Sequence, residues 1–116
     1  MIRVLPLLVL FAASNATTVQ AETAAETEIR WLIQAVADSH CEFDRNGKRY
    51  SAATAAEHLE LKYTRGKRYA DSAEAFIERL ATKSSWTGET YWMICDGDQA
   101  PAAQWLSMRL EELRAP

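Results

Sequence analysis

The sequence predicts a small α+β domain: about four helices packed on a three-stranded antiparallel sheet, closed by one disulfide. Three observations carry that expectation. Asn46-Gly47, within the run Cys41 to Tyr50, is the pair best able to take positive φ at both centres of a type I′ turn, so 41–50 reads as a β-hairpin. Apolar residues recur at helical spacing on both sides of it. Cys41 and Cys95 are the two cysteines of the chain, and each sits at the end of a predicted strand.

The first residues read as an address. Met1-Ile2-Arg3 is a basic n-region, Val4 to Ala13 is a short apolar run, and Val19-Gln20-Ala21 places small residues at −3 and −1 of a signal-peptidase site. Cleavage is expected after Ala21, leaving residues 22–116 as a single domain. The apolar run is about half of the roughly 20 residues that span a bilayer, so a stable membrane anchor is not expected. Asn15-Ala16-Thr17 matches the glycosylation pattern but lies in the segment expected to be removed. The formal charge is −3 and becomes one unit more negative when Arg3 leaves with the leader. A mildly acidic chain is a poor nonspecific binder of nucleic acid, and no nucleic-acid partner is expected.

Thr23-Ala24-Ala25-Glu26 is a capping box that opens the first helix, with Ile29, Leu32, Ile33 and Val36 on one face. That helix should end near Ser39-His40. In the hairpin, Cys41 and Phe43 share one face while Glu42 and Asp44 share the other. Ser51 is the expected N-cap of the second helix, which carries Ala52, Ala55, Leu59 and Tyr63 on one stripe and stops at Gly66. Thr64 to Tyr69 reads as a short basic connector. Asp71-Ser72-Ala73-Glu74 is a second capping box, followed by the stripe Ala73, Phe76, Ile77 and Leu80. Ser84 to Gly88 is a polar turn. Residues 90–95 form a strand with large apolar groups on both faces, which Asp96-Gly97-Asp98 breaks. Pro101 suits the first position of a last helix whose face is Ala102, Trp105, Leu106, Leu110 and Leu113. No internal repeat is visible.

In an oxidising compartment two isolated cysteines pair by default, so a Cys41–Cys95 disulfide is expected. Cys41 starts the first strand and Cys95 ends the third. Joining them favours an antiparallel pairing and the strand order 2-1-3.

Phe43-x-Arg45-Asn46-Gly47, Ala55-x-x-His58-Leu59-x-x-Lys62, Ala73-Glu74-x-Phe76-Ile77 and Ala81-x-x-Ser84-Ser85-x-Thr87-Gly88-x-x-Tyr91 follow one another in order. Together they resemble the YfeK-like family of small exported bacterial proteins, over about half of the mature chain. The resemblance implies an exported Gram-negative protein without an assigned activity, and it supplies no catalytic residues to carry over.

The chemistry legible in the residues is sparse. Two histidines, His40 and His58, with paired cysteines, lack the spacing of a zinc motif, so neither metal nor cofactor is expected. The cysteines lack C-x-x-C spacing, which argues against a redox pair. A hydrolase would use Ser84 or Ser85 with His58 as base and Glu57 or Glu74 as orienter. There is no G-x-S-x-G elbow, and these serines follow a helix C-terminus, whose dipole opposes a developing anion. The structural alternatives are that His58 locks its helix through a carbonyl or carboxylate, that Arg45 braces the hairpin through Glu42 or Asp44, and that Glu74 completes its capping box. Trp31 lies off its helix stripe and Trp86 lies in a turn, and exposed tryptophan beside arginine marks binding surfaces.

The candidate binding surface is therefore Arg45, His58, Lys62, Ser84, Ser85, Trp86 and Thr87. The expected function is that of a non-catalytic periplasmic binding or accessory protein, recognising an envelope protein or a cell-wall component. The alternatives are an inhibitor or immunity-type protein against a cell-wall-degrading enzyme, and a small Ser/His hydrolase.

Overall fold

Thr23 holds extended backbone, and its hydroxyl accepts from the Glu26 amide at 3.1 Å, so α1 (Ala24–Asp38) begins where the sequence places it. The computed structural model describes residues 2–13 and 21–116. Residues 2–13 are exposed and carry neither helix nor strand. Met1, the Asn15-Ala16-Thr17 pattern and Val19-Gln20 of the expected cleavage site lie outside the described residues. Among the described residues no helix is long and apolar enough to cross a membrane.

After α1 the chain runs through β1 (Glu42–Arg45), β2 (Lys48–Ser51) and α2 (Ala52–Gly66). A 3-10 turn at Lys67–Tyr69 leads to α3 (Ala73–Leu80), and then follow β3 (Trp92–Cys95), β4 (Asp98–Pro101) and α4 (Ala102–Arg114). The sheet has four strands in the order β2-β1-β3-β4, all neighbours antiparallel. The three-stranded expectation is thus corrected by one strand. Asp96-Gly97 does not end the sheet but turns it: φ is 52° and 84°, matching 54° and 77° at Asn46-Gly47. Asp98-Gln99-Ala100-Pro101 has no β-branched or aromatic residue to announce a strand. Pairing with β3 alone defines it, and an edge position tolerates its proline. Pro101 accordingly ends β4 and caps α4 rather than filling the first helical position. The sequence shows no internal repeat, yet β1-β2-α2 and β3-β4-α4 repeat one hairpin–helix order.

The register sets Glu42 opposite Ile94 and Phe43 opposite Met93, so Cys41 faces Cys95 across the central pair. Their disulfide closes there with Cα atoms 4.5 Å apart. Phe43, Tyr91 and Met93 share the inner face and are fully buried with Ile29, Leu32, Leu59, Phe76 and Leu106 from the helices.

Two helix boundaries differ in detail from expectation. Ser72 is the N-cap of α3, accepting from the Ala75 amide at 3.0 Å, which moves Glu74 out of reciprocal-cap position. Glu74 instead pairs with Arg114, which also grips Glu28 at 2.7 Å and ties the end of α4 to α1 and α3. Thr64 and Arg65 belong to α2 rather than to a connector, and Gly66 is its last residue. A Cβ at Gly66 would come within 2.9 Å of a Leu80 side-chain methyl, which would have to shift, so glycine lets α2 pack closely on α3.

Candidate functional site

One open pocket of about 420 Å³ lies where α2, the end of β1 and the loop 81–91 meet, within the range of small-ligand sites. Arg45, His58, Lys62, Ser84, Ser85 and Trp86 all line it, so six of the seven residues singled out from sequence converge. Thr87 stands behind them, its hydroxyl donating to the Asn46 side chain at 2.6 Å.

Each side chain is placed by a local rule. Arg45 is the last residue of β1 and alternates to the opposite face from Glu42 and Asp44, so it cannot brace the hairpin through them. It lies over the Tyr50 ring at 5.8 Å and reaches His58. His58 and Lys62 stand one helical turn apart on α2 and project to the same side.

The floor of the pocket is a continuous polar chain. Arg45 Nη1 lies 3.3 Å from His58 Nδ1, His58 Nε2 lies 3.2 Å from Tyr91 Oη, and Lys62 Nζ donates to Tyr91 Oη at 3.1 Å and to the Lys83 carbonyl at 3.2 Å. A guanidinium only donates, so His58 Nδ1 accepts and the imidazole proton sits on Nε2. Tyr91 Oη then receives two hydrogen bonds, from His58 and Lys62, and its own proton remains to be donated. His58 therefore does not lock its helix through a carbonyl or a carboxylate, as the sequence suggested. Its anchors are an arginine and a buried tyrosine.

This arrangement sets the protonation states. Burial, and then the charges of Arg45 and Lys62, hold His58 down at about 4 from its ordinary 6.5. Burial, and then Arg45, lowers the Lys62 ammonium from its usual value. Burial raises the Tyr91 phenol, with Arg45 opposing. His58 is thus neutral at physiological pH.

Because the folded pKa of His58 lies below the unfolded one, the unfolded chain takes up this proton first on acidification. The stability tied to neutral His58 is complete above about pH 6.5 and is lost as pH falls towards 4. For a half-buried ring open to solvent that loss is about 1–2 kcal/mol. His58→Gln is expected to lose that much less stability than the wild type between pH 6.5 and 4 in urea unfolding. Equal acid sensitivity of the two proteins would contradict a depressed His58.

The serines are held differently. Ser84 is buried, and its Oγ accepts from the Trp86 and Thr87 amides at 3.2 and 3.3 Å and from Asn46 Nδ2 at 3.5 Å. His58 shares the pocket with Ser84, but its two ring nitrogens face Arg45 and Tyr91. The hydrogen bonds of Ser84 fix the turn 84–87 against the β1–β2 turn, so Asn46, the residue after Arg45, links that hairpin turn to the loop that carries Trp86. Ser85 is exposed on that turn. The Trp86 side chain is 97% exposed above it. Trp31, also exposed, lies on α1 and does not line this pocket.

Sequence reasoning missed Tyr91, Arg65 and Tyr69 as pocket residues. A signal existed for two of them: His58, Lys62, Arg65 and Tyr69 recur three or four residues apart, the spacing of one helical stripe, although Tyr69 lies in the 3-10 turn beyond α2. Reading Thr64 to Tyr69 as a single basic connector obscured it, because Lys67 and Arg68 turn instead to the rings of Tyr63 and Tyr69. Tyr91 gave no such signal, since an aromatic within the expected strand 90–95 reads simply as core; β3 itself starts at Trp92. Among the described residues, no group of three or more His, Cys, Asp or Glu side chains converges as a metal site would require.

Known proteins extend this picture only to the level of a family. The model of a family of unknown function, DUF5329, matches residues 23–114, which span every helix and strand and the whole pocket. The chain is similar to the uncharacterized protein YfeK of Salmonella typhimurium, at 36% identity over 67 residues. That match covers 57% of this chain and 56% of YfeK, so the chain spans about half the length of the curated relative it matches. No solved structure matches the chain.

Proposed function

This chain belongs to the DUF5329 family of unknown function, and we propose that it serves as a non-catalytic binding protein of the bacterial cell envelope. In this reading it is exported to the periplasm and holds an anionic group of an envelope protein or cell-wall component. The observation that carries the reading is the cationic floor of the pocket. Arg45, Lys62, Arg65 and the free Tyr91 proton face one cavity whose lining includes no carboxylate, and among the described residues none of these three cations forms a salt bridge. An acceptor-only oxyanion is the complement of such a floor. Export is supported by the leader-like residues 1–21 and by the Cys41–Cys95 bond, which suits an oxidising compartment.

Crosslinking capture from periplasm tests this, with the oxidised mature protein beside Arg45→Ala/His58→Ala, verified as folded by its unfolding transition. A partner held by the wild type and lost from the variant is the expected outcome, corresponding to at least a tenfold drop in affinity on deleting the arginine. A partner held equally by both would move the binding surface away from this pocket. Capture of nothing by either would count against a binding role.

A further inference from the structure

Beyond its cationic floor, the pocket has a rim of opposite character. Five large apolar side chains of residues 21–116 are exposed: Trp31, Leu61, Tyr69, Trp86 and Met108. Three of them, Leu61, Tyr69 and Trp86, border this single pocket. Isolated exposed apolar residues need no explanation, but their concentration around one cleft does. Trp86 is the extreme case. Its ring contributes almost nothing to folding, yet the backbone beneath it is fixed by Ser84 and by the Asn46–Thr87 bond. An indole presented on a rigid turn beside an arginine has the composition of a binding hot spot.

Resting on the anion-binding reading above, we propose that the occupant is the free C-terminus of a partner polypeptide ending in a large apolar residue. A chain end carries its carboxylate and its last side chain on the same Cα. Charge and apolar bulk then enter side by side, as cationic and apolar side chains line one pocket here. An internal Asp or Glu cannot meet both demands, because its carboxylate sits at the tip of a polar side chain and the rim would face peptide backbone. The guanidinium of Arg45 offers a planar fork to a carboxylate, the Tyr91 hydroxyl adds a donor, and Lys62 adds charge. The last side chain of the partner fills the wall between Leu61 and Leu80, with Trp86 folding over it. Capture of a chain-terminal carboxylate by converging donors is a known mode of peptide recognition.

The test is calorimetric titration of the oxidised protein with a short peptide ending in phenylalanine. Its C-terminal amide, a peptide with the same residues and an internal aspartate, and dodecanoate serve as competitors. The free acid is expected to bind at least tenfold tighter than the amide and the internal acid. Trp86→Ala is expected to weaken the free acid at least fivefold without changing the unfolding midpoint, since its exposed ring leaves no cavity. Lys62→Gln should reduce the preference of acid over amide. Equal binding of acid and amide overturns the proposal. Dodecanoate binding more tightly than the peptide overturns it in favour of a lipid-like carboxylate. No peptide binding, while the captured envelope partner is still lost from Arg45→Ala/His58→Ala, overturns the chain-end proposal and leaves the anion pocket standing. Loss of both results removes the two readings together.

Discussion

Replacing Cys41 and Cys95 together by serine is expected to lower the stability of the folded domain by about 4 kcal/mol. The bond spans 54 residues of sequence, and closing a loop of that length removes about that much chain entropy from the unfolded state. A domain of this size has a total stability on the order of 5–15 kcal/mol, so the reduced protein should be partly unfolded at 37 °C. The effect should be large because the bridge joins β1 to β3, the central pair, and thereby joins the two hairpin–helix units. Urea unfolding of the oxidised protein and of the double-serine variant measures it. A difference under 1 kcal/mol would mean that the core alone holds the units together. Single-cysteine variants are poor controls, since each leaves a free thiol able to form intermolecular bonds.

Phe43→Ala is expected to cost about 3–5 kcal/mol, the range for emptying a fully buried aromatic position. Phe43 is 1% exposed and packs against Tyr91 with ring centroids 5.2 Å apart. The cost should extend beyond stability. Tyr91 is the residue on which His58 and Lys62 both converge, and it is held in place by Phe43 from behind. With a cavity behind it the phenol can shift, water can enter beside His58, and the desolvation that depresses the imidazole relaxes. The pKa of His58 should then rise from about 4 towards 6.5, followed by the pH dependence of its ring-proton resonances. Phe43→Leu should retain more of both properties. If Phe43→Ala destabilised the fold while leaving His58 unmoved, the pocket would be independent of the core beneath it.

These two experiments mark where local and tertiary information meet. The helices were legible because apolar periodicity and capping are local: Thr23 and Ser51 cap where their side chains predict, and Ile29, Leu32, Ile33 and Val36 are buried as their spacing requires. The first hairpin was legible from Asn46-Gly47, whose backbone preference is likewise local. The central strand pairing followed from one long-range constraint available in the sequence, the two cysteines.

What local information could not supply was pairing partners. β4 has no propensity of its own and exists because β3 presents an open edge to it. Asp96-Gly97 carried the same turn signal as Asn46-Gly47, but with no strand-like residues following, it read as a stop. The site divides along the same line. Residue types at turns and on one helix face marked Arg45, His58, Lys62 and Trp86 from the sequence. Their chemistry was decided by Tyr91, which lies 33 residues from His58 and reaches it only once β3 is laid against β1. A hydrogen-bonded chain across two helical turns, a strand end and a loop is a product of tertiary packing. For that reason the sequence determined which side chains were candidates, whereas only the fold decided that His58 is neutral and that cations and the Tyr91 hydroxyl converge on one pocket floor.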